Sequence, residues 1–224
     1  SVAEEIEDMF DAKNPTVAPY AKSGEVRLRI TAKAETADDA DKMCAPVVDE
    51  ICSRLGDVVY GTDMNSIEER VVALLKEKGK KIATAESCTA GYIPKRLTDI
   101  PGASEVFECG IVSYSNDIKT KLLGVSPKTL ETYGAVSERT AREMALGAKH
   151  VSGADIAIST TGLAGPGGDG VLPGGLSFAA VTDGERTVVE KIVTGHENDR
   201  EYNRYVTASR ALNLARLMLE EKIK

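Results

Sequence analysis

The chain of 224 residues has no tryptophan, and it has only three phenylalanines and two histidines. Histidine is the most common general base in enzymes. His150 lies near the end of a predicted helix and His196 in a predicted loop, and neither has a motif around it. Any general base is therefore expected to be a lysine, a tyrosine or a carboxylate.

Metal-ligand spacing is also missing from the sequence. The two histidines offer few further metal ligands. The four cysteines are scattered along the chain, at Cys44, Cys52, Cys88 and Cys109. We therefore expect no metal and no other cofactor, and we expect reduced thiols in a cytoplasmic protein.

Long apolar runs and basic stretches are lacking too. No run approaches the length of a membrane span, so no membrane association is expected. The formal net charge of -7 argues against nucleic acid as the main partner, and a solvated acidic surface is the simpler interpretation.

What is present is an ordinary globular balance, with 42% hydrophobic and 28% charged residues. Predicted strands alternate with helices, and Asp183-Gly184 is a strong hairpin signal between two of the strands. This order predicts a mixed sheet covered on both faces, in a three-layer α/β/α sandwich.

A smaller domain is predicted to precede the sandwich. Residues 14–63 are predicted to form a β-α-β unit, with alternating Val26–Ile30 as its first strand and Asp57–Tyr60 as its returning strand. The acidic residues 1–13 are interpreted as a linker from a missing upstream domain. Residues 64–224 then form the larger domain.

The larger domain is organised around Lys80–Gly91, where a β-prone run ends at Ser87 and a glycine-bearing turn leads into a helical pattern. Such a serine is usually an N-cap. It can also be a nucleophile, with the backbone N–H groups of Cys88 and Thr89 stabilising the oxyanion.

Three predicted strand ends deliver unusual loops, at Ala85–Gly91, Tyr114–Lys119 and Thr161–Gly170. Ligands of α/β sheets bind at such carboxyl ends. A Ser–Lys pair can replace Ser–His when burial lowers the lysine pKa. We therefore expect Tyr114 and Lys119 on a pocket floor, with Tyr114 relaying or orienting the proton. Taken singly, they are more often a core aromatic and a solvated lysine.

Anion binding is the second chemical expectation. Glycine N–H groups of the third loop, together with Arg200 and Arg204, could hold an anionic substrate. The loop lacks the lysine of a nucleoside triphosphatase, and it could be only a flexible connection. The two arginines lie four residues apart, which also suits a solvated, salt-bridged helix face.

These residues resemble the competence-damage-inducible protein family, called CinA. The similar segments cover roughly residues 66–215 in the order of the family: Ala85-Glu86-Ser87-Cys88-Thr89, Tyr114-Ser115-Asn116 with Lys119, Gly134-Ala135-Val136-Ser137-Glu138 and Gly162-Leu163-Ala164-Gly165-Pro166. Residues 14–63 are similar to the small middle domain of full-length members, in which a further domain comes first.

The resemblance implies a specific reaction. The carboxy-terminal domain of the family hydrolyses the carboxamide of nicotinamide mononucleotide to nicotinate mononucleotide and ammonia, in pyridine-nucleotide salvage and without a metal. It implies that Ser87 is the nucleophile and that Tyr114 and Lys119 activate it. The substrate-side residues that it implies, together with the expected oxyanion donors, are Cys88, Thr89, Thr161, Gly162, Gly165, Arg200 and Arg204.

Two residues depart from the family pattern. Ala90 stands where the first of two glycines is usual, and Pro94 falls inside the following predicted helix. Both predict a tighter backbone near the oxyanion donors.

The sequence leaves two alternatives to the deamidase. One is a catalytically weak domain that binds nucleotides or partner proteins, and the other is a pyrophosphatase, which the absence of an acidic metal cluster disfavours. A homodimer is expected from the long terminal helix and the small first domain.

Overall fold

The computed structural model describes residues 2–22 and 24–223, which divide into two compact units. The first unit ends at Thr62 and the second begins at Asp63. Within the described residues, no helix combines the length and the apolar character needed to cross a bilayer.

The smaller unit is a hairpin packed against a helix. Strands β1 (Thr16–Lys22) and β2 (Glu25–Thr31) pair antiparallel, and α2 (Ala37–Leu55) follows them. A short helix α1 (Val2–Glu5) precedes the hairpin, and two 3-10 turns complete the unit, at Glu7–Met9 and Gly56–Val58.

The small β/α domain is thus present, but the predicted order β-α-β is wrong. Residues 57–60 form no strand, because the chain beyond α2 continues as a 3-10 turn and then as coil. The second strand instead comes from 16–22, where Pro19 is tolerated because each strand of a two-stranded sheet has one unpaired edge.

The segment expected to be a linker also packs. Ile6 is fully buried and forms a small core with Val17 and Ile51, and Met9 and Phe10 pack against it. Residues 2–13 therefore belong to the smaller unit, because they supply part of its apolar core.

The larger unit is built on a five-stranded sheet, with β3 (Ile82–Glu86), β4 (Phe107–Val112), β5 (Ile156–Gly162), β6 (Leu176–Thr182) and β7 (Thr187–Val193). The strand order is β4-β3-β5-β6-β7. The strands β4, β3 and β5 run parallel, while β6 runs antiparallel to both β5 and β7. The two central parallel strands are buried along almost their whole length, as expected for a sheet covered on both faces.

Six helices surround this sheet: α3 (Ile67–Lys78), α4 (Tyr92–Thr98), α5 (Asn116–Leu123), α6 (Pro127–Tyr133), α7 (Glu138–Ser152) and α8 (Arg200–Leu219). On one face, Ser159 of β5 donates to the carbonyl of Ala141 in α7. On the other face, Ser177 of β6 bonds to Thr207 of α8. The expected three-layer α/β/α fold with a mixed sheet is confirmed.

The connection from β3 to α4 contains a strained turn. The carbonyl of Thr89 accepts from the N–H of Tyr92 at 3.2 Å, and Ala90 and Gly91 between them have φ of 50° and 91°. Two positive φ values define a type I′ turn, which favours glycine or asparagine at both central positions. Ala90 therefore occupies a left-handed conformation without the freedom of glycine.

Pro94 is less disruptive than the sequence predicts. It is the third residue of α4, and N–H groups in the first turn of a helix have no intrahelical partner to lose. Its ring lies where a Cβ on Gly110 would be 2.9 Å away, so a glycine in β4 gives the proline its space.

We expect Ala90→Gly to raise the free energy of unfolding by about 1 kcal/mol. A left-handed backbone costs an L residue roughly 1–2 kcal/mol, and the greater unfolded-state entropy of glycine offsets only part of this gain. Ala73→Gly, inside α3, should instead lower the free energy of unfolding by about 1 kcal/mol. Urea denaturation of both variants would contradict the strained turn if Ala90→Gly gave no gain.

Candidate active site

The carboxyl ends of three parallel strands lie side by side at one edge of the sheet. Glu86, the last residue of β3, is paired with Val112 of β4 and Thr160 of β5. Ser87 follows at once, and its N–H donates to the carbonyl of Thr160 at 2.9 Å. The serine is thus attached to two neighbouring strands, to β3 through the chain and to β5 through this hydrogen bond.

Lys119 reaches this serine from the first turns of α5. Ser115 caps that helix by accepting the N–H of Ile118. The Nζ atom of Lys119 donates to Ser87 Oγ at 3.0 Å. The structure therefore brings the predicted nucleophile and the predicted base into direct contact.

The amine of Lys119 is buried among neutral oxygens. The residue is 1% exposed, and its other acceptors are the carbonyls of Ser113 at 2.8 Å and Tyr114 at 3.4 Å. Burial without a compensating charge disfavours the ammonium form and lowers the pKa of Lys119. When the amine is neutral, two carbonyls can hold its two N–H groups and leave the lone pair for the Ser87 hydroxyl.

Three contacts hold the turn that follows Ser87. The hydroxyls of Thr89 and Thr160 are 2.6 Å apart, and Arg204 of α8 donates to the Thr89 carbonyl at 2.8 Å. The guanidinium of Arg204 also lies 5.6 Å from the ring centroid of Tyr92. Arg204 therefore contacts the protein's own turn, although the sequence predicted it to be a substrate-binding residue.

Cys88 is buried beside the serine and does not compete with it as a nucleophile. Burial raises the pKa of its thiol to about 12, so the thiol stays protonated near neutral pH. The N–H groups of Cys88 and Thr89 act in the opposite direction on this pKa, because both favour negative charge near the sulfur.

Tyr114 lies at the rim of the site and not on its floor. The residue is 62% exposed, and its hydroxyl accepts from Arg200 at 3.3 Å. Only its backbone carbonyl faces Lys119. The predicted position was wrong because the side chain leaves the strand end toward α8, while the buried position beside Lys119 is taken by main-chain oxygens.

Arg200 bridges two walls of the site. Its second contact is to the carbonyl of Gly165, at 2.6 Å, so the guanidinium connects Tyr114 with the glycine-rich loop after β5. Both of its acceptors are uncharged, and the residue is exposed. Arg200 and Arg204 share a helix face but contact different parts of the site.

The glycine-rich loop is closely packed and not a loose connection. A Cβ on Gly165 would collide with the carbonyl of Glu197, and one on Gly174 would collide with the carbonyls of Gly167 and Glu197. At its start, Thr161 is 1% exposed and donates to the carbonyl of Ala135 at 2.6 Å. A Cβ on Gly162 would meet Ser177 of β6.

Sequence reasoning missed Asn203, a buried residue of α8. Its amide donates to the carbonyls of Ala164 at 2.9 Å and His196 at 2.7 Å, and it accepts from the hydroxyl of Thr194. It ties two loops to one helix, and its only sequence signal is a polar residue one turn after Arg200. Thr160 and the carbonyls around Lys119 were also missed, and a carbonyl leaves no trace in a sequence.

Within the part of the chain that the structure describes, no group of three or more His, Cys, Asp and Glu side chains is placed to hold a metal ion. The groups beside Ser87 and Lys119 are hydroxyls, a buried thiol and main-chain carbonyls, and the carboxyl group of Glu86 bonds to the backbone of Ile93.

Two family models match the chain, and together they span nearly all of it. Residues 64–219 match the CinA C-terminal domain, and residues 1–61 match the KH domain of the damage-inducible protein CinA.

Sequence relatives carry the same family names. A CinA-like protein of Desulfovibrio desulfuricans is 44% identical over 218 residues, which is 96% of this chain and 51% of the relative. A putative competence-damage inducible protein of Clostridium beijerinckii is 52% identical over 201 residues, which is 88% of this chain and 49% of the relative. The chain thus spans about half the length of these relatives.

Solved structures match the fold. The competence/damage inducible protein CihA from Agrobacterium tumefaciens is 38% identical, with a TM-score of 0.66 over 71% of this chain and 99% of that one. A CinA superfamily protein from Escherichia coli is 30% identical, with a TM-score of 0.63 over 73% and 98%. With both family models and these relatives in agreement, the chain belongs to the CinA family.

Proposed function

We propose that the larger unit hydrolyses the carboxamide of nicotinamide mononucleotide to nicotinate mononucleotide and ammonia. The observation that carries the proposal is the buried contact between Lys119 Nζ and Ser87 Oγ, at 3.0 Å. The substrate comes from the resemblance of the chain to the deamidase domain of the family. The contact supports the reaction class, which is acyl transfer through a serine.

In the acylation step, neutral Lys119 takes the proton of Ser87 while Oγ attacks the carbon of the substrate amide. The carbonyls of Ser113 and Tyr114 favour this step because they hold the amine with its lone pair toward the serine. The tetrahedral intermediate then collapses, Lys119 returns the proton to the leaving nitrogen, and ammonia departs.

In the deacylation step, a water molecule replaces ammonia. Lys119 accepts a proton from the water, which attacks the ester carbon and forms the carboxylic acid while Ser87 regains its proton. The oxyanion of both steps requires two N–H donors, and the backbone amides of Cys88 and Thr89 are the candidates because they directly follow Ser87 in the chain.

Arg200 is our candidate for the phosphate of the substrate. A guanidinium binds phosphate through paired, charge-assisted hydrogen bonds, which are stronger than its present bonds to a hydroxyl and a carbonyl. Tyr114 would then line the entrance and act through its contact with Arg200, while Lys119 alone serves as the base.

A catalytically weak binding domain is the second candidate function. The left-handed Ala90 favours it, because the strained turn lies directly after the candidate oxyanion donors. A displaced donor would leave substrate binding intact and slow the chemical step.

The first test is ammonia release from nicotinamide mononucleotide. We expect Ser87→Ala and Lys119→Met to lower the rate by about 10³-fold or more, because nucleophile and base act as a unit. Lys121→Met, an exposed position on the same helix, is the control and should keep full activity. Equal rates in all variants would contradict the mechanism, and calorimetric binding without turnover would favour the binding domain.

The pH profile tests the state of Lys119. The base acts in its neutral form, so kcat/KM should rise with pH and reach a plateau above the lysine pKa. Because burial lowers this pKa, the plateau should begin below pH 10.5, the ordinary lysine value. A rise that continues through pH 10.5 would mean that the amine is not desolvated in solution.

Arg200→Gln tests recognition of the phosphate. Loss of a charge-assisted contact costs about 1.5–3 kcal/mol, so KM for the mononucleotide should rise about 10- to 100-fold with kcat nearly unchanged. Nicotinamide riboside, which lacks the phosphate, should show no such change. Arg210→Gln, which removes an exposed arginine of the same helix paired with Glu190, is the matched control. An equal effect on both substrates would assign Arg200 a purely structural role.

A further inference from the structure

Glu86 is a buried carboxyl group that the proposed mechanism does not use. It is the last residue of β3, it is 0% exposed, and Ser87 follows it directly. Its Oε2 atom accepts the backbone N–H of Ile93, in the first turn of α4, at 3.2 Å. A charged side chain is rarely buried to this extent without a partner.

The position of Glu86 excludes a role as the base. Side chains alternate across a strand, and Ala85 packs with Leu123 and Met144 on the side of α5 and α7. Glu86 therefore points to the opposite side, where it meets α4, while Lys119 approaches Ser87 from α5.

The start of α4 lacks a cap of its own. Its N-cap residue is Gly91, which has no side chain to accept the free N–H groups of the first turn. Glu86 supplies the missing acceptor from the preceding strand. Burial raises the pKa of Glu86. The hydroxyl of Thr89 and, after it, the N–H groups of Ile93, Gly91 and Tyr92 act in the opposite direction by favouring the carboxylate.

This contact closes a ring around the nucleophile. The segment between Glu86 and Ile93 contains Ser87, the candidate oxyanion donors and the type I′ turn with its left-handed Ala90. At the start of this segment, the N–H of Ser87 donates to the carbonyl of Thr160. Without the carboxyl group, the N–H of Ile93 would lose this acceptor, and only the contacts of Thr89 and Arg204 would oppose relaxation of the strained turn.

We infer that Glu86 is a positioning residue for Ser87, because its carboxyl group caps α4 from the preceding strand and thereby fixes the turn that carries the nucleophile. The inference rests on the proposed function, in which Ser87 attacks the substrate. It deepens that function by naming the group that holds the geometry of the attack.

The test measures the rate at which a fluorophosphonate probe labels Ser87, with Ser87→Ala as the blank. Glu86→Gln keeps an acceptor at the same reach, so its rate should stay within about threefold of the wild type. Glu86→Ala and the shorter Glu86→Asp cannot bond to Ile93 and should be slowed by about 10- to 100-fold, as expected for a small misplacement of reacting groups. In deamidation, both should lose kcat with KM nearly unchanged.

Thr84→Val is the matched control, because Thr84 is a buried residue on the same face of β3, two positions earlier. It should label at the wild-type rate. Thermal unfolding identifies variants that fail to fold, and Glu86→Asp keeps the test decisive if Glu86→Ala is among them. Wild-type labelling of folded Glu86→Asp or Glu86→Ala would overturn the positioning role alone. No labelling of the wild-type protein would overturn the proposed nucleophile and, with it, the role of Glu86.

Discussion

The burial of one amine, that of Lys119, is the constraint on which the site of the larger unit depends. An ammonium group surrounded only by neutral oxygens loses hydration that no carboxylate replaces, so the environment favours the free base. Two of its three acceptors are main-chain carbonyls at the end of β4, which cannot move without disturbing the sheet. The fold thus lowers the pKa of Lys119 and fixes the direction of its amine.

The serine that faces this amine stands at a corner whose shape is unfavourable by itself. A type I′ turn with alanine at its first central position would relax if nothing held it. Thr160 holds it from β5, Arg204 holds it from α8, and Glu86 connects the strand to the helix start. These contacts come from three separate elements, so the local geometry depends on the complete sandwich.

Much of this arrangement could be predicted from the sequence. The alternation of strands and helices predicted the mixed sheet, and the three loops at its carboxyl edge predicted where Ser87 and Lys119 would meet. The strands of the smaller unit were harder to predict. The proline inside 16–22 argued against a strand there, and the apolar stretch at 57–60 was wrongly predicted to be the second strand. Short strands carry little periodicity, and the pairing partner decides between them.

The sequence by itself determined the inventory of chemistry: a serine at a strand end, a lysine in place of histidine, and arginines near the start of the last helix. Only the tertiary structure decided how these groups are used. Ser87 and Lys119 are 32 residues apart and Arg204 lies 115 residues from Thr89, so their contacts depend on how the strands are ordered in the sheet. Local contacts are a second factor: the side chain of Tyr114 points outward, and Arg204 contacts the turn that follows Ser87. Tyr114 accepts from the guanidinium of Arg200, Arg204 donates to a backbone carbonyl, and neither partner can be read from the identity of the side chain.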